Sequence, residues 1–269
     1  MIACEGVYLS HQRLQSPHMR QTTLVLLLVF GCWAPAFAQR NVQDSTVTST
    51  HVAMTFGGYI PLGDLQDRFG STAQLGVNLA RKNKQGWYYG LNFGYHFGQD
   101  VTEPGLLQNL LNDEGHILAN DGRIAEVNVG MRGYYLGLEG GRVFNVVGPN
   151  PNCGILVKGG AGYLHHKIRL EHQYHEITQL EDPYLQGYDR LTNGIAINQF
   201  VGYFHMSNNR RINFYLGVEA IQGWTQGRRE LYFDTRLPGT ASRFDGLLGV
   251  RGGWVVHFYK RPPREYFFD

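Results

Sequence analysis

Two superposed rhythms constrain what this chain can fold into. From about residue 51 onward, bulky apolar residues recur at every second position in run after run, and the runs are joined by connections that alternate between short and long. A repeat of two is the side-chain period of a β-strand, whose successive residues face opposite ways. The runs place strands at about 51–60, 73–82, 87–98, 124–145, 153–170, 193–206, 211–225 and 243–259, eight in all. The third is the clearest: Trp87, Tyr89, Leu91, Phe93, Tyr95 and Phe97 alternate with Tyr88, Gly90, Asn92, Gly94, His96 and Gly98. The fourth is less regular, and its phase slips near Gly133 as a β-bulge would make it slip. Short connections at Asn83-Lys84-Gln85-Gly86, around Gly148 and at Ser207-Asn208-Asn209-Arg210 carry tight-turn residues. Those at about 61–72, 99–123, 171–192 and 226–242 are long and carry charges and aromatics.

An even number of antiparallel strands with short turns at one end and long loops at the other is the pattern of an up-and-down transmembrane β-barrel, with periplasmic turns and extracellular loops. A soluble lipocalin-like barrel competes, because alternation alone does not say which face is inside. Composition helps here. Only 17% of residues are charged and the formal net charge is +2. That balance argues against a nucleic-acid partner. The 35 glycines are about 13% of the chain against an average near 7%. They fall mostly on the face opposite the bulky one. A solvated outer wall should be rich in Lys, Glu and Thr; glycine instead makes room inside a narrow barrel. The bulky face is therefore expected to meet outer-membrane lipid, with Trp87, Tyr89, Tyr95, Trp254 and Phe258 as lipid-facing girdle residues.

Residues 1–38 read as a leader. Within it Met19 to Ala38 has a basic start, an apolar core and the small-residue ending Ala36-Phe37-Ala38, the signature of a secretory signal peptide cleaved after Ala38. Met19 competes with Met1 as the start, and lipid attachment at Cys32 competes with simple cleavage. Residues 39–50 read as a loose polar lead-in, 51–259 as the barrel and 260–269 as a periplasmic tail. Without its leader the chain retains Cys153 alone, so closure by hydrogen bonding, with no disulfide, is expected to hold it together.

The alternating strands, the stretches Gly154-Ile-Leu-Val-Lys-Gly-Gly-Ala-Gly-Tyr163 and Phe200-Val-Gly-Tyr-Phe204, and the aromatic ending resemble small outer-membrane β-barrel proteins of Gram-negative bacteria. The architecture is similar to the OmpA transmembrane domain, and the tone of the sequence resembles barrels of the Bacteroidota. The resemblance implies outer-membrane lipid, lipopolysaccharide and the barrel assembly machinery as partners, with an envelope protein engaged through the loops or the tail. One departure is that Phe258-Tyr259 is followed by Lys260 to Asp269, where Pro262-Pro263 cannot extend a ladder. No cell-wall-binding domain is expected after the barrel.

Inward parity assigns Glu139, Lys158, Glu219 and Arg251 to the lumen. Two acids and two bases in a low-dielectric interior must pair. They form either a salt-bridged plug or a gate whose exchange of partners opens a narrow channel. His172 and His175, beside Glu171 and Glu176, are weak metal-ligand candidates or acid–base groups of a surface enzyme acting on lipid or peptide. Their spacing matches no established motif, and the bland reading is a solvated strand end. No catalytic residue and no cofactor is expected, and a non-enzymatic structural or scaffold role at the envelope is the leading expectation. In the loop at 99–123, Leu106, Leu107, Leu110 and Leu111, with Thr102 and Pro104 before them and Gly115 after, suggest a short amphipathic helix. It would lie over the barrel mouth or contact a partner.

Overall fold

The computed structural model describes residues 45–172, 176–208 and 212–258. The leader, His175 and the tail from Tyr259 lie outside the described residues. The barrel strands are β1 (Ser49–Gly63), β2 (Thr72–Lys82), β3 (Trp87–Gly98), β4 (Val127–Phe144), β5 (Gly154–His172), β6 (Thr192–Met206), β7 (Asn213–Gly227) and β8 (Ser242–Phe258). Each pairs antiparallel with its sequence neighbour, and β1 pairs with β8 from Thr50↔Phe258 to Gly63↔Asp245. The ring is closed and has no free edge, which is how a β-sheet satisfies every ladder hydrogen bond without a partner chain. Among the described residues no helix is long and apolar enough to cross a membrane.

Local chemistry explains the turns. Between β2 and β3 the Asn83 Oδ1 accepts from the Trp87 amide at 2.9 Å, and Gly86 takes φ +85°. A Cβ at Gly86 would also lie 2.5 Å from the Val143 carbonyl oxygen, so only glycine fits there. β4 and β5 pair over their whole length, from Val127↔His172 to Phe144↔Ile155, and make one wall of the barrel taller than the rest.

Three expectations are corrected. β4 has no bulge near Gly133: the register runs unbroken, with Gly133 opposite His96 on one side and His166 on the other. The apparent slip arises because large residues occupy both faces there, Tyr134 outside and Tyr135 buried in the lumen. Ile124 and Ala125 are not part of β4; they pair with Leu118 and Ile117 in a two-stranded ribbon within the loop. The segment before β1 is not loose throughout. From Ser45 it is tied to the β4–β5 turn, where the Val47 amide donates to Asn152 Oδ1 at 2.8 Å and Asn152 Nδ2 donates to the Ser45 carbonyl at 2.9 Å.

The parity of the strands sorts the side chains cleanly. Trp87, Tyr89, Leu91, Phe93 and Tyr95 are exposed on the outer wall, while Tyr88, Asn92 and His96 are buried inside. The lumen is filled in three layers. A lower apolar layer near the short turns includes Leu156, Phe200, Phe204, Met206 and Tyr215. An upper one under the long loops joins Tyr135, Leu164, Ile168 and Ile221 to Leu65, Phe69, Leu107, Leu180 and Tyr188 from the loops. Between them lies a charged layer.

Candidate functional site: a charged lumen under a latched cap

The charged layer assembles from inward positions on strands all round the ring. Glu139 (β4), Lys158 (β5), Glu219 (β7) and Arg251 (β8) are all buried. Lys158 Nζ lies 2.7 Å from Glu139 Oε2, while Arg251 Nη1 reaches Glu219 Oε1 at 2.5 Å and Glu139 Oε1 at 3.3 Å. The remaining lone pairs are also used. Asn78 Nδ2 donates to Glu139 at 3.0 Å, Asn198 Nδ2 donates to Glu139 at 3.0 Å and to Glu219 at 3.2 Å, and the Tyr59 hydroxyl donates to Glu219 at 2.5 Å. Arg251 Nη2 donates to Asn92 Oδ1 at 2.7 Å and to the Tyr215 hydroxyl at 3.2 Å. The Lys158 ammonium is also packed among the rings of Tyr88, Phe200 and Tyr215 at 5.3, 5.0 and 4.9 Å. Two acids, two cations and their hydrogen bonds make a neutral, cross-linked plug, the form in which buried charge is tolerable.

Glycine supplies the space for it. Gly253 lies beneath the Tyr215 ring, where a Cβ would approach to 2.5 Å, and Gly202 and Gly217 flank Phe200, where a Cβ would come within 2.7 and 2.8 Å of its ring. The inward glycines are the seats of the inward aromatics.

Above the plug, a second polar group joins β5, β7 and β8. His166 Nε2 lies 2.9 Å from Asp245 Oδ2, and the Thr225 hydroxyl donates to the same carboxylate oxygen. All three are buried. The carboxylate stands between hydroxyl and imidazole, so the imidazole does not face the hydroxyl as a base activating a nucleophile must. His165 points the other way, onto the outer wall, with its ring stacked on Tyr134 at 4.7 Å. His172 ends β5 half-buried. Because His175 lies outside the described residues, the structure leaves the proposed pairing of these two histidines undescribed.

The long loops converge on Arg190, which is fully buried and held at φ +50°. Its Nε donates to Glu103 at 3.0 Å, its Nη2 reaches both Asp234 oxygens at 2.9 Å, and its guanidinium lies 3.9 Å from the Tyr232 ring centre. Glu103, Arg190 and Asp234 come from three different loops, so one side chain pins all three. Beside it, Arg229 holds Asp189 through bonds of 2.8 and 2.6 Å, and these hydrogen bonds raise the Arg229 guanidinium above its ordinary pKa. Burial has the opposite effect on Arg68 in the first loop, lowering its pKa.

The loop helix expected at Leu106, Leu107, Leu110 and Leu111 does not form. Only Gln108–Leu110 makes a single 3₁₀ turn, because Gly105 at φ +72° and Leu107 at φ +60° leave the right-handed helical region just before it. Leu107 is instead buried in the cap, Leu106 and Leu110 pack against that core, and Leu111 is exposed. The five residues expected to face lipid are exposed on the outer wall: Trp87 and Tyr89 begin β3 at the short-turn end, Trp254 and Phe258 lie toward that end of β8, and Tyr95 lies toward the long loops.

Sequence reasoning missed the polar partners Tyr59, Asn78, Asn92, Asn198, Thr225 and Asp245. The parity that found the four charges also marks these as inward, and carrying it along every strand finds them. Arg190, Glu103 and Asp234 had no such signal, because loops carry no periodicity. Among the described residues no group of three or more His, Cys, Asp and Glu side chains is placed to hold a metal.

Fold and lumen together define a closed eight-stranded β-barrel, plugged at mid-height and capped by its own loops. No family model and no curated protein matches the chain. Among solved structures it is similar to Ail, the attachment invasion locus protein of Yersinia pestis, in complex with the heparin analogue sucrose octasulfate, at 8% identity and TM-score 0.41, covering 77% of this chain and 97% of that one. It is also similar to Neisserial surface protein A, at 8% identity and TM-score 0.39 over 77% and 97% of the two chains, and to the outer membrane protein OprG from Pseudomonas aeruginosa, at 12% and 0.40 over 81% and 100%.

Proposed function

We propose that the chain is an integral outer-membrane β-barrel with a sealed lumen, non-enzymatic, serving the cell envelope as a structural element or as a scaffold that presents its capped loop end to a partner. The observation that carries this reading is the outer wall. Met54 is 69% exposed, Leu138 68%, Ile195 68% and Trp254 61%, and similar residues surround the barrel. An apolar surface on this scale exceeds what a soluble monomer leaves in water. Charge on the outward-facing positions of the described strands is confined to their ends: Arg81 and Arg142 near the short turns, and Arg132, Lys167, Arg169 and Glu171 near the long loops. At ~3.3 Å per residue and a tilt of about 40°, the ten residue steps between Arg142 and Arg132 rise about 25 Å, the height of the apolar band of an outer-membrane barrel. This supports lipid as the surroundings of the wall, and it opposes a lipocalin-like barrel, whose apolar face would point inward.

The charged plug supports a structural role over a channel, because Glu139, Lys158, Glu219 and Arg251 are buried at mid-height and ion-paired to one another across the ring. The cap supports the scaffold half of the reading: Leu118 and Ile124 are exposed on the loop ribbon and Leu237 on the last loop, apolar groups on the two loops that Arg190 ties together through Glu103 and Asp234. The test is reconstitution. The protein is expected to insert into phospholipid vesicles, to migrate faster on a denaturing gel before boiling than after, and to resist protease in its strands. Solubility in plain buffer with no heat-dependent mobility would overturn the reading.

A further inference from the structure

We infer that Arg132, Lys167 and Arg169 form a binding site for the phosphorylated headgroup of an outer-leaflet lipid on the outside of the β4–β5 wall. The inference rests on the membrane reading above and adds to it a specific ligand chemistry and a place.

Arg132 and Lys167 are directly opposed in the β4–β5 register, and Arg169 follows one outward position further along β5. Like charges facing each other across a ladder are destabilising unless a counter-charge joins them. Among the described residues no carboxylate pairs with either Arg132 or Lys167. The Arg132 Nη1 donates to the carbonyls of Met131 at 2.8 Å and Gly98 at 3.3 Å, which fixes the guanidinium on the wall with Nε and Nη2 unengaged by the described residues. Among the described residues, Glu171 and Asp189 are the carboxylates that line this surface. Glu171 is 2.6 Å from Arg169, and both are about half-exposed; Asp189 is taken by Arg229 through both its oxygens. Three cations against one available carboxylate leave a net positive site.

The surface has relief as well as charge. Arg132 and Arg169 line two adjoining depressions of about 350 and 460 Å³, the first floored by Tyr95, Tyr134 and His165. The stacked Tyr134 and His165 rings lie on the membrane side of the charges, at the height where aromatic girdles meet headgroups. An anionic headgroup placed there would lie against the cations while its chains run down the apolar wall along Tyr134, Leu136 and Leu138. Arginine offers a phosphate two parallel donors and lysine a point charge, so the pair suits a phosphomonoester or phosphodiester. At the other end of the same strand Arg142 is differently placed, within 5.6 Å of the Trp87 ring centre and 5.4 Å of the Phe144 ring centre.

The test uses the full barrel in phosphatidylcholine vesicles with and without lipid A, reading bound lipid A by native mass spectrometry and by retention during purification. The wild type is expected to retain lipid A over phosphatidylcholine. Arg132→Gln with Lys167→Gln should weaken that retention by at least about tenfold. Glu171→Gln, which frees Arg169, should strengthen it, and Arg142→Gln should leave it unchanged. Retention of lipid A no better than phosphatidylcholine, or a loss as large from Arg142→Gln as from the double variant, overturns the site. Displacement of lipid A by millimolar inorganic phosphate overturns the lipid as its ligand. Failure to enter phosphatidylcholine vesicles at all overturns the membrane reading itself, so the two failures are distinct.

Discussion

At the scale of single residues, the lumen makes unequal demands on its four charges. Arg251 serves both acids, whereas Lys158 serves Glu139 alone. Arg251→Met therefore leaves Glu219 with only the neutral donors Tyr59 and Asn198, and unfolding from vesicles in urea should show a loss of about 3–5 kcal/mol. Lys158→Met should cost less, because Glu139 keeps Arg251. Pairing Arg251→Met with Glu219→Gln should recover much of the loss, since the stranded charge is then gone. A different kind of sensitivity attaches to Gly253, which carries no functional atom. Gly253→Ala pushes a methyl group into the Tyr215 ring and should destabilise by about 1–3 kcal/mol. A double-mutant cycle with Tyr215→Ala should show the two changes coupled rather than additive, and additivity would mean that the ring moves aside freely.

At the scale of elements, strands were legible in the sequence and loops were not. A strand writes its environment in alternate letters, so eight strands, their connections and the inward set of Glu139, Lys158, Glu219 and Arg251 could be read from parity alone. Parity misled where both faces are large, as at Tyr134 and Tyr135, and where a short apolar pair such as Ile124-Ala125 belongs to a ribbon of its own. The leucines at 106–111 have helical spacing, yet tertiary burial of Leu107 and two left-handed backbone positions decide their conformation. Arg190 was invisible because its partners come from loops far apart in sequence. Its importance can be checked by limited proteolysis: Arg190→Ala should expose the loops at 99–126 and 228–241 to cleavage at low protease concentration while the strands stay intact. The barrel's own unfolding should change little, because the latch joins loops to one another, and unchanged cleavage would show that the apolar cap holds them without it.

At the scale of the whole molecule, the layered lumen predicts an electrically silent barrel. Planar bilayers containing the wild-type protein should show no discrete conductance, and Glu139→Gln or Arg251→Gln should raise leakage if the plug is the seal. Steady channels in the wild type would show that the plug opens. The seam between β1 and β8 has a consequence for the order of events during biogenesis. Its partners, beginning with Thr50 and Phe258, lie about two hundred residues apart, so the ring cannot shut until all eight strands have been delivered. Until then both seam strands present unpaired backbone groups that any other extended segment could capture. The closing step is also the one with the longest sequence separation and so the steepest entropic barrier. Assembly should thus wait on the final strand, making the last few residues of β8 a kinetic checkpoint: shortening them should leave a long-lived, open-sided intermediate prone to self-association, even where the finished barrel would have been stable.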